Sequence, residues 1–83
     1  MSNIKDKIKD LIVEDDLKAA LKELNTINVT DPDLQRQILL LNFDINGMQQ
    51  DFDNGIILGM NYKLMVQRTK MTFVQLLDKL QLD

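Results

Sequence analysis

Apolar residues recur at alternating intervals of four and three positions between residues 34 and 52, and no other pattern constrains the fold as strongly. They are Leu34, Ile38, Leu41, Ile45, Met48 and Phe52. This spacing places all of them on one face of an α-helix, as a seam for a second helix. Asp31 is a suitable N-cap and Pro32 suits the first helical position, and Asn54 or Gly55 can take the left-handed conformation that ends a helix. The pattern therefore predicts a helix over residues 32–53.

A second stripe with the same alternating interval follows and predicts a helix over residues 59–81. Its members are Tyr62, Val66, Thr69, Phe73, Leu76 and Leu80. The link between the two stripes is short, so the two helices must lie side by side and run in opposite directions. Each would be roughly 30 Å long at the usual rise per residue.

Two shorter apolar stripes precede the long helices. The first predicts a helix over residues 3–13 and the second a helix over residues 16–25, with an acidic run, residues 14–16, as turn and cap. Their members are Ile4, Ile8, Leu11 and Ile12, then Leu17, Ala20, Leu21 and Leu24. A chain of 83 residues has room for one core. We therefore expect a single all-α domain over residues 1–83, a small four-helix bundle in which a short N-terminal hairpin packs on two long antiparallel helices.

Both long helices carry further apolar residues on the side away from their seams. They are Leu39, Leu40, Phe43, Met60, Leu64, Met71 and Val74. Two helices of about three turns cannot easily cover both extra stripes, and large exposed apolar patches are rare on monomers. The pattern thus favours a protein partner or self-association, unless the short hairpin swings across and buries most of this surface.

Composition excludes several classes of function. The chain has no Cys, His or Trp, which removes thiol chemistry, histidine acid–base chemistry and the usual zinc sites. The spacing of its acidic residues lacks a calcium-binding loop. A net charge of −3 has the wrong sign for nucleic acid, and no apolar run is long enough for a membrane span. We expect a cytoplasmic protein that is not an enzyme and has no cofactor, metal site or catalytic residues.

Charge is divided between the long helices. Residues 28–59 contain five acidic residues and one basic residue, and residues 60–80 contain four basic residues and one acidic residue. The two faces could complement each other within the bundle or be solvated. Alternatively, unlike surfaces on one domain suit head-to-tail contacts between copies.

Several segments resemble the bacterial effector-associated domains in order and spacing. Residues 11–24, LIVEDDLKAALKEL, resemble the family's opening short helix, acidic or glycine-containing turn and Leu-x-x-Ala-Leu helix. Residues 38–43, ILLLNF, resemble its Leu-rich third helix, and residues 55–57, GII, its Gly-Leu-Ile turn. Tyr62 falls on its helix-four tyrosine, and residues 74–80, VQLLDKL, resemble its closing segment.

The resemblance implies an adaptor domain, similar in role to the death-fold domains of animal immunity. Such domains are fused to proteases, nucleotide-dependent switches or other effectors in bacterial defence systems, and they recruit by like-with-like contact. The expected partners are therefore like domains on other proteins or other copies of this chain, as a homo-oligomer. Two features depart from the family: Leu58 stands where a Ser cap is usual, and residues 59–61 replace an acidic first turn.

We expect six residues of helices three and four to make the contact. They are the apolar anchors Leu40 and Phe43, with Arg68 and Lys70 meeting Asp44 and Asp51 of a neighbouring copy. Two alternatives remain open. The domain could be a structural dimerisation module in which two copies complete a larger helical bundle, or a monomeric inhibitor that places its acidic third helix in a basic pocket.

Overall fold

The computed structural model describes residues 3–80, and this part of the chain consists of four α-helices joined by short turns. They are α1 (Ile4–Val13), α2 (Leu17–Leu24), α3 (Pro32–Asp53) and α4 (Gly59–Lys79). The all-α fold class is confirmed. α2 is one residue shorter at each end than the predicted range 16–25, because Asp16 and Asn25 serve as its caps. α1 begins one residue later than the predicted range 3–13, because Asn3 is its N-cap. α4 ends at Lys79 and not at residue 81, since Leu80 takes an extended conformation as the C-cap; residue 81 itself lies outside the described residues.

Side-chain caps begin three of the four helices. The carboxamide or carboxylate oxygens of Asn3 and Asp16 each accept a hydrogen bond from the amide three residues later, at 3.0 and 3.2 Å. Asp31 accepts one from the amide two residues later, at 2.9 Å. Such caps satisfy amides that have no partner within the helix. Leu58 takes the same place before α4 and offers no side-chain hydrogen bond.

α1 and α3 end in the same way, with a left-handed residue just past the last turn. The residue is Asp15 after α1, with φ 64°, and Gly55 after α3, with φ 74°. In both turns the next amide donates a 2.9 Å hydrogen bond back into the helix, to the carbonyl of Leu11 in α1 and of Asp51 in α3. This is the Schellman arrangement, which satisfies carbonyls at a helix end and favours glycine at the left-handed position.

The core is formed where the α1–α2 hairpin packs on the long helices. Thirteen apolar side chains are buried there: Ile8, Ile12, Leu17, Ala20, Leu21, Leu24, Leu41, Ile45, Met48, Phe73, Leu76, Leu77 and Leu80. The predicted antiparallel pairing of the long helices is visible at both ends. The rings of Phe52 and Tyr62 stack at 4.1 Å beside the link, and Leu34 and Leu80 line one cleft at the opposite end.

Polar contacts tie the hairpin to the long helices at the edge of this core. The carboxamides of Asn25 and Asn42 exchange two hydrogen bonds, of 2.9 and 3.1 Å, between the end of α2 and α3. The ammonium of Lys9 in α1 lies 3.2 Å from a carboxylate oxygen of Asp78 in α4. Both contacts are exposed, so they orient the hairpin more than they stabilise the fold.

The buried residues are confined to one end of the α3–α4 pair. None of residues 49–72 is buried, although this segment contains the last turn of α3 and two thirds of α4. The seam residues Tyr62, Val66 and Thr69 are only partly buried, and Phe52 remains 38% exposed. α1 and α2 are too short to extend over this end, so the linked ends of α3 and α4 project past the core.

Candidate interaction surface

The outer side of α3 carries an exposed apolar patch formed by Leu39, Leu40 and Phe43. Their exposed fractions are 55%, 55% and 67%. The α1–α2 hairpin packs on the opposite side of α3, against Leu41 and Ile45. The expectation that part of the extra stripe stays uncovered holds for this helix, and we call these three residues the α3 face.

A second exposed row lies on the outer side of α4. Met60, Leu64 and Met71 are 78%, 59% and 64% exposed, and we call them the α4 face. The sequence pattern predicts Val74 in this row as well, and this prediction is wrong. Val74 is partly buried and packs against the core. It lies beside the stretch of α4 that contributes Phe73 and Leu77 to that core.

The link between α3 and α4 adds apolar surface that sequence reasoning took only for a connector. Ile56 and Leu58 are 70% and 74% exposed. Residues 54–62 contain no charged side chain at all. The sequence did contain a signal for this exposed surface. It is an uncharged, largely apolar run that begins at the Asn54-Gly55 turn and is too far along the long helices for the short helices to cover.

Charged residues flank both faces. Asp44 and Asp51 lie on α3 beside the α3 face, and Arg68 lies on α4 one turn after Leu64. None of these three side chains forms an ion pair with any other residue of the described segment 3–80. Asp44 and Asp51 beside the α3 face and Arg68 beside the α4 face are thus left unpaired within residues 3–80, as is the exposed Arg36, which lies one turn before Leu39 and Leu40.

Lys70 has different surroundings from the other predicted contact residues. Its ammonium pairs with the carboxylate of Asp15 in the turn between α1 and α2, and its side chain is only 18% exposed. Residues two apart on a helix point about 160° apart, so Lys70 projects from a different side of α4 than Arg68 does. Asp15 was the residue that sequence reasoning missed, since no spacing rule connects it with position 70. The contact of Lys70 with a neighbouring copy stays a prediction.

A groove of about 520 Å³ lies between the start of α2 and the middle of α3 and α4. Its apolar lining comes from Leu17, Ile45, Met48, Tyr62 and Val66. The acidic and basic side chains at its edge are mixed, so it has no single charge preference.

The family model of effector-associated domain 11 matches residues 3–81, which is almost the whole chain. The chain belongs to the effector-associated domain 11 family. No curated protein and no solved structure matches it. The resemblance to effector-associated domains is therefore confirmed, and membership of effector-associated domain 11 indicates an adaptor role in effector proteins.

Two further properties of this effector-associated domain bear on its chemistry. In the part of the chain from residue 3 to residue 80, no group of three or more carboxylates is arranged to hold a metal ion. No helix of that part has both the length and the apolar character needed to cross a membrane.

Proposed function

We propose that this domain is a homotypic interaction adaptor that recruits or assembles effectors in a bacterial defence or signalling system. The observation that supports it is the pair of exposed apolar faces on α3 and α4, with the unpaired carboxylates of Asp44 and Asp51 beside the first and the unpaired guanidinium of Arg68 beside the second. A core of thirteen buried residues already holds the fold together, so these faces are free for binding.

The charges favour contact between the α3 face of one copy and the α4 face of the next. In that arrangement Arg68 of one copy approaches Asp44 and Asp51 of its neighbour, while the apolar side chains of the two faces pack between them. Contact between unlike faces leaves one free face at each end, so it continues into a ring or a filament. Complementary charge also discourages the wrong pairing, since like charges would meet in it.

The second candidate function is a structural dimerisation module. It is favoured by the half of the α3–α4 pair that the short helices do not cover. Residues 49–72 contain no buried side chain, so two copies could pair these segments and complete a second bundle. Such an apolar interface would be closed and insensitive to salt.

The mass of the chain in solution distinguishes the two functions. We expect light scattering over a hundredfold range of concentration to show growth beyond a dimer, which moderate salt weakens. A closed dimer that salt does not affect would support the dimerisation module. A monomer at every concentration would contradict self-association of this chain and the dimerisation module, and it would support the monomeric inhibitor.

Charge exchange between the two faces tests the contact itself. Arg68→Glu and Asp44→Arg should each abolish growth, and an equimolar mixture of the two variants should restore it, because each Glu then meets an Arg. Lys22→Glu is the matched control, since it makes the same charge change at an exposed position of α2. Assembly of Arg68→Glu at the wild-type level would contradict the electrostatic part of the proposal.

A further inference from the structure

Gly47 lies in the middle of α3, and neither the backbone conformation nor the packing of the single chain requires glycine there. Its φ is not positive, unlike that of Gly55, so the backbone does not require glycine. A Cβ built at position 47 would meet no heavy atom within 4 Å, so packing does not require glycine either. Glycine in a helix interior lowers stability relative to alanine, because it gives up more backbone freedom on folding. Glycine at position 47 therefore lowers the stability of the single chain, and no contact within residues 3–80 compensates for the loss.

The place of Gly47 on the helix connects it with the α3 face. It lies four residues after Phe43 and seven after Leu40, which puts all three on one side of α3. Because Gly47 has no side chain, the helix backbone is uncovered at this point, next to the exposed ring of Phe43. At a position without a side chain, a second helix can approach the backbone more closely than the usual helix packing distance allows.

We infer that Gly47 is the point at which α4 of a second copy crosses α3, with the α4 face of that copy seated on the α3 face. This inference rests on the proposed homotypic function and adds the crossing point and the requirement for glycine there. Asp44 and Asp51 lie one helical turn before and after Gly47, and Arg68 lies beside Leu64 on the approaching helix. Crossing of α3 on α3 would instead place these aspartates against each other.

The inference predicts opposite effects of one substitution on folding and on association. Gly47→Ala should raise Tm by roughly 4–8 °C, measured at a concentration and salt at which the chain is monomeric. The same substitution should weaken association by roughly tenfold in light scattering, because the added methyl group holds the crossing helix away. Gly47→Leu should abolish association while the monomer stays folded, since position 47 has open space around it.

Asp10→Ala is the control. Asp10 is an exposed residue of α1, outside both the α3 face and the α4 face, and it belongs to none of the ion pairs within residues 3–80. Alanine there should raise Tm through its higher helix propensity and leave the association constant unchanged.

Comparison with Arg68→Glu separates failure of this inference from failure of the proposed function. Unchanged association of Gly47→Ala, with association lost in Arg68→Glu, would overturn the crossing point and leave the homotypic function standing. Unchanged association of both variants would overturn both. A lower Tm of monomeric Gly47→Ala would show that the glycine serves the fold of the single chain, which would also overturn the inference.

Discussion

Alanine substitution of two leucines on α4, Leu77 and Leu64, tests which half of that helix stabilises the fold, because the two side chains have very different surroundings. Leu77 is fully buried in the core, whereas Leu64 is 59% exposed on the α4 face. Leu77→Ala removes the same atoms as Leu64→Ala and leaves a cavity, which costs about 3–5 kcal/mol of unfolding free energy. Leu64→Ala leaves no cavity and should change it by less than about 0.5 kcal/mol.

These magnitudes are large against the stability of the whole domain. A chain of this length has a free energy of unfolding of about 4–12 kcal/mol, so Leu77→Ala removes a quarter of it or more. At a urea m-value of about 1 kcal/mol per M, a loss of 3 kcal/mol lowers the unfolding midpoint by about 3 M. Far-UV circular dichroism of dilute protein measures the midpoint without a contribution from association.

A milder core variant keeps the comparison informative if Leu77→Ala unfolds completely. Ile8 is also fully buried, and Ile8→Val should lower the free energy of unfolding by about 0.5–1.5 kcal/mol. The reasoning would be refuted if Leu64→Ala lowered the midpoint as much as Leu77→Ala. That result would mean that the first half of α4 is packed in the monomer and is not a free binding face.

Two predictions concern the link between α3 and α4. Leu58→Ser should raise the free energy of unfolding by about 1 kcal/mol in urea titration, because φ −69° and ψ 149° suit an N-cap and α4 has no side-chain cap. Leu58→Ala is the control and should show no such gain; an equal gain would rule out capping as the cause. Gly55→Ala should lower Tm by several degrees, because alanine at φ 74° costs about 1–2 kcal/mol although it meets no atom within 4 Å. Gly55→Asn, which tolerates this conformation, should lose less, and an equal loss in both variants would contradict the backbone explanation.

Helix positions and caps could be predicted from the sequence because they depend on neighbours within a few residues. The alternating spacing of the apolar residues identified both long helices. Asp31 was identified as a cap from its residue type, and the cap of α2 was placed in the acidic run 14–16 without a choice among its residues. The structure shows that Asp31 and Asp16 accept hydrogen bonds from amides of the first turn of α3 and α2. The left-handed residue at the end of α3 was predicted to be Asn54 or Gly55, and in the structure it is Gly55.

The predicted contact residues were only partly placed by the same reasoning. Leu40 and Phe43 were recognised as residues off the seam, and the structure leaves them exposed. The ion pair of Lys70 with Asp15 could not be predicted, since these residues are far apart in sequence and meet only when the hairpin docks. Val74 was misplaced for the same reason, because a helical wheel does not show how far along a helix its neighbours extend.

The sequence by itself determined that the chain forms four helices, where they lie to within two residues at each end, and that the two long ones carry more apolar surface than one seam needs. Helical periodicity and capping are local, so they can be read without knowing the fold. Only the tertiary structure decided which apolar surface is left over. The short hairpin covers one end of the α3–α4 pair, which buries Met48 and Phe73 and leaves residues 49–72 without a single buried side chain. Burial depends on the length and docking of neighbouring helices, and no residue carries that information alone.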